Sequence, residues 1–407
     1  MGHLGGTLLI ALACAACNPF GDREYACTSD SQCGASGKCA SGFCSAADPS
    51  CASGFRYGNA AGTLSNVCVG DGAEHDGGLT IDAKEYKDAP PPGVQCFGMG
   101  FGKTCFMDAD VPTAAVTINT NIDTGTDPMC STKVMNNPPW CVIAGTSVTV
   151  SGNANITGSK PLVLVAVAGE VDVNATLDAA SHINGQNGAA NASGADCDAG
   201  MDPDNGAGAG GSYGAKGGTG GNGDAMHGQP GNTKPADMRG GCAGQNGKGG
   251  TPGNGGLGGG AVYLIATSKI VVTGAINASG SGGHKASNNG SAGGAGSGGL
   301  IGLDSPIVTN TNGVIFANGG GGGEGANNQF GGNDGNDSNN GNKANGGSGG
   351  TNNGGDGGDG GYDMTAAENG KNGNSGAGGG GGGGGVGYVK LFQATTITGG
   401  TVSPPAN

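Results

Sequence analysis

The sequence has few aromatic and few charged residues. Aromatics make up 4% and charged residues 12% of its 407 residues, whereas about 25% of a typical soluble domain is charged. Glycine instead contributes 97 residues, of which 74 lie from Gly185 onward. A large conventional hydrophobic core is therefore not expected. Burial must come from a few apolar strands or from backbone packed against backbone.

Basic residues are also scarce. The chain has 17 lysines and arginines against 31 aspartates and glutamates, which gives a formal net charge of −14. Binding to nucleic acid is disfavoured, because phosphates are recognised by lysine and arginine. Docking onto anionic lipid headgroups is disfavoured for the same reason.

The N-terminus has no apolar run long enough to span a bilayer. The short apolar stretch Leu8–Ala13 is followed by Cys14 and Cys17, which is typical of an export signal. Small residues directly before Cys17 predict a lipoprotein signal over 1–16 and a lipid on Cys17, with 17–26 as a tether to the membrane. An ordinary secretory signal is the alternative, because Cys14 stands where the lipoprotein cleavage box prefers leucine.

The number of cysteines supports the lipid. Of 14 cysteines, Cys14 would leave with the signal and Cys17 would carry lipid, so an even number remains. Even groups of cysteines in an exported chain predict disulfides. Six cysteines allow about 15 pairings and four allow about three, so only the isolated pair, Cys197 with Cys242, is predicted individually. The remaining candidates are a group of six (Cys27, Cys33, Cys39, Cys44, Cys51, Cys68) and a group of four (Cys96, Cys105, Cys130, Cys141).

The cysteine groups also suggest domain limits. Residues 27–68 form a cysteine-rich module whose small polar residues cannot build a core, so covalent staples are expected to replace one. Zinc is disfavoured there, because the module has no Cys-x2-Cys pair and no histidine. An acidic, proline-containing linker is predicted over 69–95, and a disulfide-stapled N-terminal cap over 96–140.

A repeat of about five units occupies 141–407. Each unit has an apolar strand, a short turn and one or two further short strands, in which apolar residues alternate as at Val148 and Val150. One unit cannot bury its apolar side alone, but a stack of units can. The pattern therefore predicts an all-β fold, a short-strand β-solenoid. The units begin at Val142, Leu162, Val262, Leu300 and Tyr388.

Glycine-rich inserts separate these units at about 180–260, 280–299 and 317–386, and each leaves after the last strand of a unit. Glycine recurs at every third residue within them, most regularly from Gly241 to Gly259. A polyproline-II helix has three residues per turn, so the inserts are predicted to be such helices packed along one side of the solenoid. Disordered linkers are the alternative. If the run from Gly241 to Gly259 forms a polyproline-II helix, four of its side chains are predicted to face water: Gln245, Asn246, Lys248 and Asn254.

No catalytic constellation and no cofactor are predicted. Asp172 and Asp178 could act as acid and base in a polysaccharide-cleaving enzyme, but they are interpreted as solvated corners of the repeat. Asp356 and Asp359 approximate one calcium-binding nonapeptide. They are a weak calcium candidate, because the expected apolar position is Gly361 and no tandem copy follows.

The order of these parts resembles a family of bacterial surface proteins. Together with the lipoprotein-like signal and the glycine tracts, the motifs are similar to glycine-rich, cysteine-rich surface lipoproteins of myxobacteria. The resemblance implies an envelope location and no particular activity. The motifs are Ser53–Gly58 and Cys68–Val69 in the cysteine module, and Cys141–Gly145 and Pro161–Ala166 in the repeat.

The glycine tracts resemble those of further proteins. They are similar to tracts in mycobacterial glycine-rich surface proteins, in some phage adhesins and in receptors of the anaplastic-lymphoma-kinase type. By analogy these parallels suggest a structural or recognition role.

The predicted function is thus that of a non-catalytic surface or extracellular protein with a structural or adhesive role. Its expected partners are a membrane, through the lipid, and a polysaccharide or another cell-surface component. A polysaccharide lyase or hydrolase on a β-helix scaffold and a passive surface spacer are the alternatives.

Overall fold

The computed structural model describes residues 27, 29–34, 36–58, 61, 64–69, 93–191, 197–223, 226–339, 341–350 and 353–407. The described chain is nearly all β and divides into two compact units, Met1–Lys87 and Asp88–Asn407. Within the described ranges, no helix is long and apolar enough to cross a membrane. The predicted signal peptide, the lipid-bearing Cys17 and most of the predicted linker lie outside the described residues.

The first unit is a small antiparallel sheet held by disulfides. A 3-10 turn, Asp30–Gln32, precedes three strands: β1 (Lys38–Ala40), β2 (Phe43–Ala47) and β3 (Phe55–Tyr57). All six cysteines of this region pair among themselves, so disulfides replace a hydrophobic core as the main source of stability in the module. The bonds join Cys27 to Cys39, Cys33 to Cys44 and Cys51 to Cys68.

The second unit begins with a hairpin and continues as a stack of short parallel strands. Disulfides close the hairpin (Cys96–Cys105), the connection that leads into the strand beginning at Cys141 (Cys130–Cys141) and the first glycine insert (Cys197–Cys242). The last of these is the pair predicted individually. The strands are β4 (Val94–Phe97), β5 (Thr104–Met107), β6 (Val116–Ile118), β7 (Ile122–Asp123), β8 (Cys141–Gly145), β9 (Val148–Val150), β10 (Ala154–Thr157), β11 (Leu162–Ala166), β12 (Val171–Val173), β13 (Thr176–Asp178), β14 (Ala261–Ala266), β15 (Ile270–Val272), β16 (Ala275–Asn277), β17 (Leu300–Asp304), β18 (Val308–Asn310), β19 (Val314–Phe316), β20 (Tyr388–Leu391), β21 (Ile397–Thr398) and β22 (Thr401–Ser403).

The strands from β6 to β22 form three parallel sheets, which the chain visits in turn. The first sheet has the order β8-β11-β14-β17-β20, the second β6-β9-β12-β15-β18-β21 and the third β7-β10-β13-β16-β19-β22. Register is kept from one triplet of strands to the next, so that Leu164 lies between Ile143 and Leu264 in the first sheet. Equivalent apolar side chains therefore stack in columns.

The main core lies between these sheets. Alternate residues of each strand point inward, and Val148, Val150, Val171 and Val173 are all buried there, in agreement with the alternation in the sequence. Successive side chains of a strand point to opposite faces, so one apolar residue in two is enough to fill the interior. This arrangement explains how a chain with so few aromatic residues can bury a continuous core.

The predicted boundary between cap and repeat does not hold at residue 141. Strands β6 and β7 lie in the predicted cap, yet β6 pairs with β9 and β7 pairs with β10. Val116 is aligned with Val148 and Ile122 with Ile156, so the stack begins with an incomplete triplet. These two strands lack the longer apolar strand that begins each of the other units, such as β8 (Cys141–Gly145), so the repeat was not recognised there from the sequence.

The hairpin β4–β5 region covers the outer face of the first sheet. Phe106 of β5 packs with outward residues of the sheet such as Val163 and Tyr263. Buried Asp304 of β17 anchors the hairpin loop, since its Oδ2 accepts hydrogen bonds from the Met99 N–H (2.7 Å) and from the Tyr263 hydroxyl (2.9 Å). Burial, followed by the charge of Asp304, raises the pKa of Tyr263. The three middle strands of the first sheet, β11, β14 and β17, are therefore buried on both faces.

The glycine inserts leave after β13, β16 and β19 and pack on one another. Their hydrogen bonds advance three residues at a time: Gly280 N–H donates to Asn318 O and Gly283 N–H to Gly321 O, both at 2.9 Å. The segments 290–300 and 316–326 are buried almost throughout. Because backbone groups of one tract satisfy those of another, the described tracts are ordered, which argues against the alternative of disordered linkers.

The run from Gly241 to Gly259 differs from its prediction. It folds back on itself, because Gly241 N–H donates to Gly259 O (2.8 Å) and Gly247 N–H donates to Gly253 O (2.9 Å). The reversal occurs at Gly249 and Gly250, whose positive φ angles of 74° and 34° suit residues without a Cβ. Unbroken three-residue spacing therefore does not guarantee one straight segment.

The prediction that four side chains of this run face water is wrong for one of them. Asn246, Lys248 and Asn254 are exposed. Gln245 is instead half-buried, and its Nε2 donates to Met201 O (3.1 Å) and to Gln229 O (3.2 Å). The two carbonyls also accept each other's backbone N–H, so the Gln245 amide is an additional donor to both.

Replacing Gly293 by alanine is expected to destabilise the second unit. A Cβ there would lie well inside contact distance of the Asn254 carbonyl, and overpacking of this kind costs about 1–3 kcal/mol. Thermal denaturation should give a lower midpoint for Gly293→Ala and an unchanged one for Asn254→Ala, whose side chain is exposed. Equal midpoints for both variants and the wild type would contradict close packing of the tracts.

Candidate functional site

The third sheet and the third insert enclose a groove of about 750 Å³. One wall is the outer face of β13, β16 and β19, and the other is the segment 334–339 of the third insert. Residues of the first insert close one end. The lining residues are Thr176, Asp178, His182, Ile183, Ala275, Asn277, Phe316, Asp334, Gly335, Asn336, Asp337, Ser338 and Asn339.

Strand register aligns the groove wall. Asp178 pairs with Asn277, and Asn277 pairs with Phe316, so these three form one column across the sheet. Thr176 and Ala275 form a second column two residues earlier. Residues two apart on a strand share a face, so both columns point into the groove. Phe316 is almost fully buried and contributes to an apolar floor.

The His182 side chain links two carboxylates across the groove. Its Nε2 lies 2.9 Å from Asp178 Oδ2 and its Nδ1 lies 3.2 Å from Asp337 Oδ2. The hydrogen bond to Asp178, followed by that to Asp337, raises the pKa of His182 to about 10, against the opposing effect of burial. The ring is therefore an imidazolium at neutral pH and donates from both nitrogens.

Asp337 joins all three glycine inserts. Besides His182 of the first insert, its carboxylate accepts hydrogen bonds from the Ile183 N–H (3.1 Å) and from the Gly282 N–H of the second insert (2.8 Å). Asp334 makes a second contact between the third and second inserts, because its Oδ1 accepts a hydrogen bond from the Lys285 N–H (2.8 Å). The groove thus depends on the packing of the inserts.

Asn277 supplies a hydrogen-bond donor to the groove. The residue is only 5% exposed and its Oδ1 accepts from the Ser279 N–H (3.0 Å), which fixes the orientation of the amide. The amide NH2 has no protein partner among the described residues and lies at the groove surface. It is therefore available to donate to an acceptor bound in the groove.

A second cavity adjoins the groove at Asp334. It has a volume of about 420 Å³ and is lined by polar side chains on the far side of that carboxylate. The two cavities together form an extended polar surface. The further lining residues are Asn184, Pro252, Gly253, Asn254, His284, Lys285 and Ser287.

The structure separates Asp172 from Asp178, the acid and base of the enzyme alternative. Asp178 lies in the groove, whereas Asp172 lies on β12 in the second sheet, where Lys269 forms an ion pair with Glu170 (2.8 Å). Burial, followed by the charge of Glu170, raises the pKa of Asp172. The two carboxylates have different partners and line no common cavity among those described.

Asp356 and Asp359 do not form the calcium site considered from the sequence. Asp356 pairs with Lys371 (2.8 Å), and Asp359 pairs with Lys343 and accepts from the Gly346 N–H. Each carboxylate is neutralised by its own lysine, so the two do not share a cation.

Among the described residues, one group of three metal-ligating side chains comes together: Cys27, Cys33 and Cys44. Their sulfurs belong to two disulfides. Because a metal ligand must be a free thiolate, the group offers no zinc site.

The residues that build the groove were largely missed from the sequence. Asp178 and His182 have the spacing of neighbours on a helix, but they lie at the end of a strand and in the turn after it. Asp337 is 155 residues from His182. Only stacking of the inserts brings these residues together, and no local signal could have indicated it.

Comparison with protein-family models, with curated proteins and with solved structures gives no match for this chain.

The His182 contacts predict a loss of stability at high pH. A histidine whose pKa rises from 6.5 in the unfolded chain to about 10 in the folded one adds stability that is complete below pH 6.5 and lost as pH rises through about 10. Thermal midpoints of the wild type should fall over this range more steeply than those of His182→Gln. His227→Gln is the control, because its imidazole contacts the amide of Asn222. Parallel curves for the wild type and His182→Gln would refute the linkage.

Proposed function

We propose that this chain is an exported, non-catalytic surface protein that contacts polysaccharide through the groove at the third sheet. The observation that carries the proposal is a groove of about 750 Å³ whose lining includes hydroxyl, amide and carboxylate groups, with the Asn277 NH2 unpaired among the described residues. Sugar hydroxyls accept and donate hydrogen bonds, so they complement such a lining. The two cavities meet at Asp334 and have volumes of about 750 and 420 Å³, which leaves room for more than one sugar ring.

The fold proposed for this role is a β-solenoid with polyproline-II-like inserts. Three parallel sheets visited in turn, with constant register, support about five coils after an incomplete first one. Hydrogen bonds that advance by three residues support inserts with three residues per turn. A rigid scaffold of this kind holds a groove open without a ligand.

Export is supported by the six disulfides, since such bonds persist in oxidising compartments. We further propose that a lipid on Cys17 holds the chain at the outer membrane or cell surface. The proposal draws on the small residues before Cys17 and on the resemblance to surface lipoproteins.

The absence of catalysis is part of the proposal. In the groove, the carboxylates of Asp178 and Asp337 are bridged by the imidazolium of His182, which leaves neither of them as an evident proton donor. A glycoside hydrolase requires a protonated carboxylic acid beside a second carboxylate. Lyase or hydrolase activity remains the alternative function, and a passive spacer the second.

Retention on immobilised envelope and matrix polysaccharides tests the proposed function. The purified exported chain should be retained, and Ala275→Arg should lose retention because the long side chain fills the groove. Val271→Arg is the matched control, since Val271 is an outward residue of the neighbouring second sheet. Equal retention of both variants would exclude the groove, and failure of the wild type on every polysaccharide would refute glycan contact. New reducing ends in the eluate would indicate an enzyme.

The anchor can be tested separately. Cys17→Ser should abolish incorporation of labelled fatty acid and release the chain into the medium, whereas Cys14→Ser should leave both unchanged. Mass spectrometry of the mature N-terminus provides the readout. A lipid-free N-terminus at Asn18 or later in the wild type would contradict acylation.

A further inference from the structure

We infer that the groove selects glycans that carry cationic amino groups, such as polymers of de-N-acetylated hexosamine, over neutral and acidic glycans. The inference rests on the proposed glycan contact and names the class of ligand. It follows from the charges that line the groove, from the atoms of those groups that remain unpaired among the described residues, and from the donor that Asn277 presents to the groove.

The charge of the groove is negative. Its lining includes the carboxylates of Asp178, Asp334 and Asp337, and His182 is the basic side chain among the lining residues. The adjoining cavity adds His284 and Lys285 on the far side of Asp334. Within the groove itself three acidic groups thus face one imidazolium. A uronate or sulfate group would meet repulsion there, whereas an ammonium group would be attracted.

Asp334 is the carboxylate best placed to receive an ammonium group. Its Oδ1 accepts from the Lys285 N–H (2.8 Å) and lies 3.8 Å from His284 Nδ1. Its Oδ2 has no protein partner among the described residues, and the side chain is about 30% exposed. By contrast, Asp178 and Asp337 are already bridged by His182. Asp334 also lies where the two cavities meet, so a long ligand must pass it.

The remaining polar groups favour a sugar over a basic peptide. The Asn277 amide NH2 can donate to an acceptor in the groove, and Asn336 and Asn339 are exposed at the rim. A ring with several hydroxyls can accept from Asn277 while its ammonium substituent reaches a carboxylate. The aromatic side chain of the groove, Phe316, is only 3% exposed. The residues that line the groove therefore offer a peptide almost no aromatic surface.

Calorimetric titration of the full exported chain tests the inference. The probes are a glucosamine hexamer, its N-acetylated counterpart, an oligogalacturonate and a lysine oligopeptide of equal charge to the first. The glucosamine hexamer should bind about fivefold more tightly than the N-acetylated one, as expected for one added ion pair at a partly exposed site. High salt should reduce this difference, and the oligogalacturonate should not bind.

Two variants localise the effect. Asp334→Asn keeps the acceptor for the Lys285 N–H and removes the charge, so it should abolish the preference for the glucosamine hexamer over the N-acetylated one. Asp363→Asn removes an exposed charge outside the groove and should change neither affinity. Unchanged thermal midpoints would confirm that both variants are folded.

The outcomes separate this inference from the function on which it rests. Equal affinity for the two hexamers, or a preference for the acidic glycan, would overturn the inference while leaving glycan contact in place. Equally tight binding of the lysine peptide, lost in Asp334→Asn, would overturn the choice of a glycan as the ligand class. No binding of any saccharide would overturn both proposals.

Discussion

Close approach of backbone to backbone in the glycine tracts is the constraint on which the second unit depends. Gly293 shows the principle, because its N–H donates to His284 O and its carbonyl accepts from the Gly323 N–H, both at 3.0 Å. A Cβ at this position would overlap the Asn254 carbonyl. Ordering glycine costs more conformational entropy than ordering any other residue. Dense hydrogen bonding with little exposed backbone offsets that cost.

The same packing connects the fold to the candidate site. The inserts leave the stack at equivalent points of successive triplets, so they lie side by side along the third sheet. Asp337 then reaches His182 and the Gly282 N–H in the other two inserts. If the tracts were loose, these contacts could not persist and the groove would have only one wall. The groove is therefore a consequence of the packed tracts and not of the sheets alone.

The sequence predicted the parallel strands and the packed inserts better than it predicted the site. Alternation of apolar residues, as at Val171 and Val173, directly indicates a strand. Glycine at every third residue directly indicates a backbone with three residues per turn. The reversal at Gly249 was missed because glycine permits a straight and a reversed path equally well. The disulfide connectivity of the first unit could not be predicted either, because several pairings are compatible with the same cysteine spacing.

The groove was the least predictable feature. In the sequence, Asn277 is an ordinary residue at the end of a predicted strand. Asp337 is one of many polar residues in a glycine tract. Their roles arise from register between strands and from contacts between inserts, both of which are long-range. Charge composition indicated only which partners are disfavoured for the chain as a whole, namely nucleic acid and anionic lipid headgroups.

Amide hydrogen exchange tests the central claim most directly, because it reports on the tracts residue by residue. If the tracts form a hydrogen-bonded lattice, amides of 290–299 and 378–385 should be protected to the same degree as those of the strands Leu162–Ala166 and Ala261–Ala266. Exchange of these glycine amides at the rate of an unfolded chain, with the strands still protected, would contradict the account.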